Sequence, residues 1–149
     1  MRRALLTLCG LLPCLAVAAA EPSSDNKKLE GTWKVVSVEV AGKAATPKQF
    51  GMDQLVVKGD KLTFRNDGKD VMSFEFTTDA SKTPKTLDWI KPADKSSLPT
   101  IYSLEGDDLK ICAPLVPKER KPGETIPRPA GFDTKDKPLM LLVLKREKP

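Results

Sequence analysis

The sequence predicts an all-β protein: an eight-stranded antiparallel up-and-down barrel, closed or nearly closed. Short runs rich in β-branched and aromatic residues follow one another along the chain, and no segment shows convincing helical periodicity. Turn signals that contain glycine join several successive runs, which favours hairpins between sequence neighbours. The final run, LMLLVLKR, is apolar on both faces and would be an aggregation hazard as an exposed edge. We therefore expect it to pair with the first strand and close the barrel.

Eight runs are predicted to be strands, at residues 32–40, 54–58, 61–65, 71–77, 85–90, 100–105, 109–113 and 139–146. Gly59-Asp60 separates the second and third runs by two residues, which is the spacing of a tight hairpin. Asn66-Asp67-Gly68 joins the third and fourth runs in the same way. Residues 46–53 form a longer connection, which we expect to hold a short helix or turn at one end of the barrel.

Alternating apolar positions predict which side chains face the core. In the second to seventh runs, apolar residues recur at every other position with polar residues between them. The side chains expected to point inward are Leu55, Val57, Leu62, Phe64, Met72, Phe74, Phe76, Leu87, Trp89, Tyr102, Leu104, Leu109 and Ile111. In the first run Trp33 and Val35 are in one phase, whereas Val36, Val38 and Val40 are in the other. A β-bulge near Val35-Val36 would turn both sets inward.

The N-terminus has the build of a secretory signal peptide. Arg2 and Arg3 precede an apolar stretch that ends in Ala18-Ala19-Ala20, an A-x-A cleavage site. The predicted organisation is a signal peptide at 1–20, a disordered leader at 21–28 and a single barrel domain at 29–149. We therefore expect an exported protein, periplasmic or extracellular, with no membrane span after cleavage. The alternative is an uncleaved anchor, which would need about 20 apolar residues.

The composition of the chain bears on whether the protein binds nucleic acid. Removal of Arg2 and Arg3 would reduce the formal charge from +5 to +3, and aromatic residues make up only 5% of the chain. Because the lysines are dispersed as well, we expect no nucleic-acid binding. Two of the three cysteines lie in the predicted signal peptide, so Cys112 has no intramolecular disulfide partner. We expect Cys112 to be a buried small apolar side chain; the alternatives are an intermolecular disulfide and a reactive thiol. We expect the protein to be a monomer.

The residue inventory also limits the chemistry. The chain contains no histidine, which excludes Ser-His-Asp and Cys-His catalysis and every histidine-containing metal site. A single cysteine in the exported chain excludes thiolate clusters and dithiol redox chemistry. No glycine-rich phosphate loop is present. We therefore expect a protein that is not an enzyme, with no catalytic residues, no metal and no cofactor.

Two motifs lie at the ends of the predicted barrel: Gly31-Thr32-Trp33 opens the first strand and Lys145-Arg146 ends the last. A large ring can plug one end of a core, a guanidinium can stack on it, and glycine lets the backbone approach closely. This arrangement resembles the lipocalin superfamily, in which a basic residue near the last strand packs across the tryptophan of a Gly-x-Trp motif. The resemblance implies that Gly31, Trp33 and Arg146 close the barrel.

A second resemblance covers nearly the whole exported chain. The segments LEGTWKVVSVEVAGK, LEGDDLKIC, RPAGF and LLVLKRE, in this order and spacing, resemble an uncharacterised secreted lipocalin-like (calycin-like) domain family of planctomycete-type bacteria. The resemblance implies the barrel, and it implies that Arg128 and Phe132, which lie in RPAGF, anchor the long loop against the barrel mouth. It implies no activity.

Barrels of this size are either filled by side chains or hold one small ligand. The leading hypothesis is an exported, non-enzymatic barrel that binds a small apolar or amphipathic molecule. The candidate ligand-binding residues are Phe74, Phe76, Trp89, Tyr102, Arg128 and Phe132. The alternative is a filled barrel that acts as an interaction module. Its proline-rich loop, residues 114–138, would then contact another exported protein or an envelope polymer.

Overall fold

The computed structural model describes residues 25–121 and 123–149 and confirms the all-β prediction. The predicted signal peptide, residues 1–20, and the first four leader residues lie outside the described residues. The elements are α1 Asn26–Leu29, β1 Gly31–Val40, β2 Lys43–Ala45, α2 Pro47–Phe50, β3 Gln54–Lys58, β4 Lys61–Asn66, β5 Lys69–Asp79, β6 Lys85–Ile90, β7 Ser97–Glu105, β8 Asp108–Pro114 and β9 Leu139–Arg146. In these described ranges no helix is long and apolar enough to span a membrane.

Antiparallel pairing closes the sheet into a barrel. The strand order is β2-β1-β3-β4-β5-β6-β7-β8-β9, and β1 also pairs with β9. Eight strands, β1 and β3 to β9, therefore form the closed barrel. The ninth strand, β2, is a short arm that pairs only with the end of β1, from Val38 to Val40. The predicted closure by the last strand is confirmed.

The predicted bulge in β1 is present. The register between β1 and β9 shifts between Val35 and Ser37. Trp33, Val35 and Val38 are buried, whereas Val36 is 54% exposed. The prediction that Val36 also faces the core is wrong, because Val36 is the extra residue of the bulge and points outward. The bulge reverses the phase of the strand, so that side chains before and after it face the core.

The predicted inward faces are also confirmed, except at the barrel ends. Ten of the thirteen predicted side chains are buried, while Phe74 and Leu104 are half-buried and Met72 is 43% exposed. Met72 lies in the first half of β5, which pairs with β4 but not with β6, since the β6 pairing begins at Glu75. This half of β5 therefore projects past the barrel wall and leaves Met72 at the rim.

Two short elements, β2 and α2, lie between β1 and β3, and only β2 was not predicted. Ala41 and Gly42 both have positive φ, which makes a tight turn and folds β2 back onto β1. The predicted short helix between β1 and β3 is α2. It begins at a capping box formed by Thr46 and Gln49 and ends at Gly51 in the left-handed conformation.

The prediction of a disordered leader is wrong for residues 25–28. Asn26–Leu29 is a short helix, and Asp25 and Leu29 are 4% and 1% exposed. The polar composition of this segment indicated disorder, but its order comes from tertiary contacts at one end of the barrel, which composition cannot show.

The long loop after β8 is partly attached to the outside of the barrel. Arg128 donates hydrogen bonds to Asp88 (2.6 Å) and to the carbonyl of Thr100 (2.7 Å). Thr134 is fully buried, donates to Glu39 and accepts from the backbone of Gly42. Arg128 and Thr134 therefore attach the second half of the loop to the barrel. The anchoring against the barrel mouth that the resemblance implied for Arg128 and Phe132 stays a prediction.

Candidate functional site

One end of the barrel, the base, is closed by Trp33 and Arg146. Trp33 is fully buried, and its indole N–H donates to the carbonyl of Leu29 at 2.8 Å. The Arg146 guanidinium lies over the indole, with Cζ 4.1 Å from the ring centroid. Gly31 has φ of +128°, and a Cβ added there would lie 2.9 Å from Nη1 of Arg146. Glycine is therefore required both by its backbone conformation and by the close guanidinium.

A buried carboxylate fixes α1 to the same end. Asp25 accepts hydrogen bonds from Lys85 (2.7 Å) and from the hydroxyl of Tyr102 (3.0 Å), and it pairs with Lys28 at 3.0 Å. Burial alone would raise the pKa of the Asp25 carboxyl. The hydrogen bonds from Lys85, Lys28 and Tyr102 outweigh burial and lower this pKa from 3.8 to about 2. Burial and the neighbouring Asp25 raise the pKa of Tyr102, so its hydroxyl stays a proton donor.

Toward the other end, the mouth, the interior is hollow. A cavity of about 290 Å³ opens there. The two ends are separated along the strands: β9 runs from Met140 on the cavity to Arg146 at the base, and β6 runs from Lys85 at the base to Trp89 on the cavity. The barrel is therefore filled at its base and open at its mouth.

The cavity wall is mostly apolar. Its apolar members are Phe50, Met52, Phe64, Met72, Phe74, Trp89, Leu98, Pro114, Leu115, Val116, Ile126 and Met140. Its four polar members are Lys91, Ser96, Ser97 and Arg120. Such a lining, with a few polar groups at one side, is the usual composition of a small-molecule site.

Three aromatic rings form one wall. Trp89 packs edge-on against Phe64, with centroids 5.5 Å apart, and is stacked with Phe74 at the same distance. The indole N–H of Trp89 is buried and has no hydrogen-bond partner among the described residues. Trp89 thus carries a polar group that the barrel itself does not satisfy, which is uncommon in a packed core.

The first part of the long loop covers the cavity. Leu115, Val116 and Ile126 contribute to its wall. A smaller cavity of about 170 Å³ lies beneath the same segment and shares Pro114, Leu115, Arg120 and Ile126 with the larger one. The two spaces are therefore adjacent and share part of their wall.

The six ligand-binding candidates from the sequence do not form one site. Phe74 and Trp89 line the cavity. Phe76 is buried in the core and lies outside the cavity wall. Tyr102 bonds Asp25 at the base and lines a separate surface concavity together with Phe132. Arg128 is held on the outer side of the sheet by Asp88.

Several cavity residues were missed by the sequence analysis. They come from α2, from the connection between α2 and β3, and from the long loop: Phe50, Met52, Leu115, Val116 and Ile126. The signal in the sequence was the presence of large apolar side chains in segments that are neither strands nor core helices. Exposed polar loops do not need such residues, so their clustering indicated a covered surface.

The described residues contain no group of three or more cysteine, aspartate or glutamate side chains placed to hold a metal ion. Comparisons with protein-family models, with curated proteins and with solved structures found no match. The resemblance to the lipocalin-like family therefore stays a prediction, and a function has to be argued from the cavity itself.

Proposed function

We propose that this protein is an exported, non-enzymatic barrel that binds a small apolar or amphipathic molecule in the cavity at its mouth. The observation that carries the proposal is the apolar space of about 290 Å³ above a filled base. A barrel that served only as a rigid interaction module would gain stability by filling this space, since empty apolar cavities are destabilising.

The cavity volume sets the size of the ligand. An apolar cavity of about 150 Å³ holds one benzene molecule, which has six heavy atoms. A cavity of about 290 Å³ is nearly twice as large. We therefore expect a ligand with roughly 12 heavy atoms in the main space. The adjacent space under the loop would accept a longer tail.

Burial of the ligand chain supplies the affinity. Each methylene transferred from water contributes about 0.8 kcal/mol, so a chain of roughly nine methylenes contributes about 7 kcal/mol. Immobilisation of the ligand opposes part of this gain. The expected dissociation constant lies between about 10 μM and 1 mM.

Export and the absence of catalysis are supported by the sequence. Residues 1–20 have a basic head, an apolar stretch and an A-x-A ending, and the chain has no histidine. Lipid-like molecules are poorly soluble outside membranes, so an exported binding barrel has a physical role as a solubilising carrier or store.

The proposal is tested by isothermal titration calorimetry with 1-decanol, a neutral probe with 11 heavy atoms. A matched pair of variants locates the binding. Met72 and Val71 are adjacent, and both are substantially exposed, but only Met72 lines the cavity. Met72→Trp places a large ring at the mouth, whereas Val71→Trp places the same ring on the opposite face of β5.

We expect saturable binding of 1-decanol to the protein and to the Val71→Trp variant, with a negative heat-capacity change. The Met72→Trp variant should bind at least about tenfold more weakly, because the added ring occupies ligand space. Circular dichroism checks that both variants are folded. Absence of binding to the unmodified protein, or equal binding by the two variants, would rule out the cavity as the ligand site.

A further inference from the structure

Two of the polar residues that line the cavity are cationic. Lys91 lies just after β6, and Arg120 lies in the loop that covers the cavity. Both side chains are exposed, and both line the cavity together with Ser96 and Ser97. No aspartate or glutamate lines the main cavity among the described residues. The charged residues of the cavity wall are therefore both cationic, and the rest of the wall is mostly apolar.

Neither cation is neutralised by a salt bridge within the described part of the chain. Nine other cations of the described residues are in salt bridges, among them Lys85, Lys95, Arg128 and Arg146. Arg120 instead donates from Nε (3.1 Å) and Nη2 (2.7 Å) to the backbone carbonyl of Glu124. Those bonds hold the guanidinium in position and keep its charge.

Two carboxylates near these cations, Asp94 and Glu124, accept hydrogen bonds from backbone N–H groups. The side chain of Glu124 accepts from the backbone of Lys121 at 3.3 Å. The pKa of Asp94 is lowered mainly by hydrogen bonds from Ser96, and the charge of Lys91 adds a smaller effect. Asp94 is fully exposed to water, so it screens Lys91 only in part. Both cations therefore remain available to a ligand.

From this arrangement we infer that the ligand is an anionic amphiphile. Its apolar chain lies among the aromatic and methionine side chains, and its carboxylate, sulfate or phosphate head contacts Lys91 and Arg120. The inference rests on the proposed function and specifies the class of ligand. A guanidinium is suited to such heads because it donates parallel hydrogen bonds to two oxygens.

Exposure of the two cations limits the size of the effect. Each pair of exposed charges contributes little, and salt screens it. The two together should give an anionic ligand an advantage of about two- to thirtyfold over a neutral one of equal chain length. A cationic head should be disfavoured by a similar factor.

The test compares three ten-carbon probes on the full protein by calorimetry: decanoate, 1-decanol and decylammonium. At neutral pH and low salt we expect decanoate to bind most tightly and decylammonium least. High salt should bring the affinity of decanoate close to that of 1-decanol. Monodecyl phosphate separates the possible sources of the anionic head, because a preference for it over decanoate would indicate a phosphate ligand.

Charge-removing variants locate the head group. Arg120→Gln and Lys91→Gln should each reduce the ratio of decanoate affinity to 1-decanol affinity, and the double variant should bring it near one. The matched controls are Lys118→Gln, two residues from Arg120, and Lys95→Gln, in the same turn as Lys91. Neither control residue lines the cavity, so both should retain the ratio.

The possible outcomes separate the two proposals. If 1-decanol binds and decanoate binds no more tightly, the anionic class is wrong while the binding function stands. The same conclusion follows if the control variants lower the ratio as much as Arg120→Gln and Lys91→Gln do. If neither decanoate nor 1-decanol binds, both proposals fail.

Discussion

The guanidinium of Arg146 lies over the indole of Trp33, with Cζ 4.1 Å from the ring centroid. Arg146 also donates to two carbonyls of the N-terminal segment, from Nη1 to Glu30 at 2.6 Å and from Nη2 to Lys28 at 2.5 Å. The last strand, the first strand and α1 are therefore joined at one point. This junction closes the base and leaves the mouth as the open end.

Replacement of Trp33 by alanine should reduce the free energy of unfolding by about 3–5 kcal/mol, because it empties a fully buried site. Urea unfolding followed by circular dichroism measures the loss. Val36→Ala is the control on the same strand: Val36 is 54% exposed, so its loss should stay within about 0.5 kcal/mol. A loss near zero for Trp33→Ala would show that the ring does not plug the base.

Replacement of Arg146 by methionine should lower the free energy of unfolding by about 1–3 kcal/mol, since it removes the stacking charge and two hydrogen bonds to backbone carbonyls. Lys145→Met is the neighbouring control. Lys145 is exposed and lies 3.8 Å from Asp108, so its removal should change stability by less than about 1 kcal/mol. Equal melting temperatures for the Arg146 variant and the unmodified protein would remove the stacking role.

The Asp25 carboxyl should make stability depend on pH. Its pKa in the folded protein is about 2, below the ordinary 3.8, so its stabilising effect is complete well above pH 3.8 and is lost as pH falls toward 2. The effect at neutral pH is at most about 2 kcal/mol. Urea unfolding at a series of pH values should show the difference between the protein and Asp25→Asn shrinking over this window. A constant difference from pH 7 to pH 2 would contradict the ionic role.

Cys112 should be unreactive while the protein is folded. It is fully buried, and burial raises the pKa of its thiol to about 11, with only a small opposing effect from Lys137. At pH 8 a disulfide reagent should therefore modify it only in denaturant, because the thiolate is the nucleophile. Rapid labelling of the native protein would instead favour the reactive-thiol alternative.

The sequence predicted the barrel well because its signals are local. Alternation and two-residue turns specified the hairpins, and the phase change after Val35 specified the bulge. Closure followed from the two-sided apolar pattern of β9. These features depend on residues close together in the chain, so a single sequence contains them.

The site was only partly predictable because it depends on contacts between distant segments. Phe74 and Phe76 have the same phase on β5, yet Phe74 lines the cavity and Phe76 is core. The alternation along a strand predicts which face of the sheet a side chain lies on, but not its position along the barrel axis. Tyr102 was a ligand candidate until Asp25, 77 residues away, proved to be its hydrogen-bond partner.

Methionine methyl groups offer a direct measurement of the cavity. The chain has four methionines. Three of them, Met52, Met72 and Met140, line the cavity on different elements. The fourth, Met1, lies outside the described residues. Single Met→Leu variants, which change side-chain volume little, would assign the three signals.

The experiment is a titration of ¹³C-methyl-methionine protein with 1-decanol, followed by NMR. If the cavity is the binding site, all three assigned signals shift together and saturate with one dissociation constant. If the signals of Met52 and Met140 stay unchanged while 1-decanol binds, the ligand lies elsewhere and the barrel mouth is not its site.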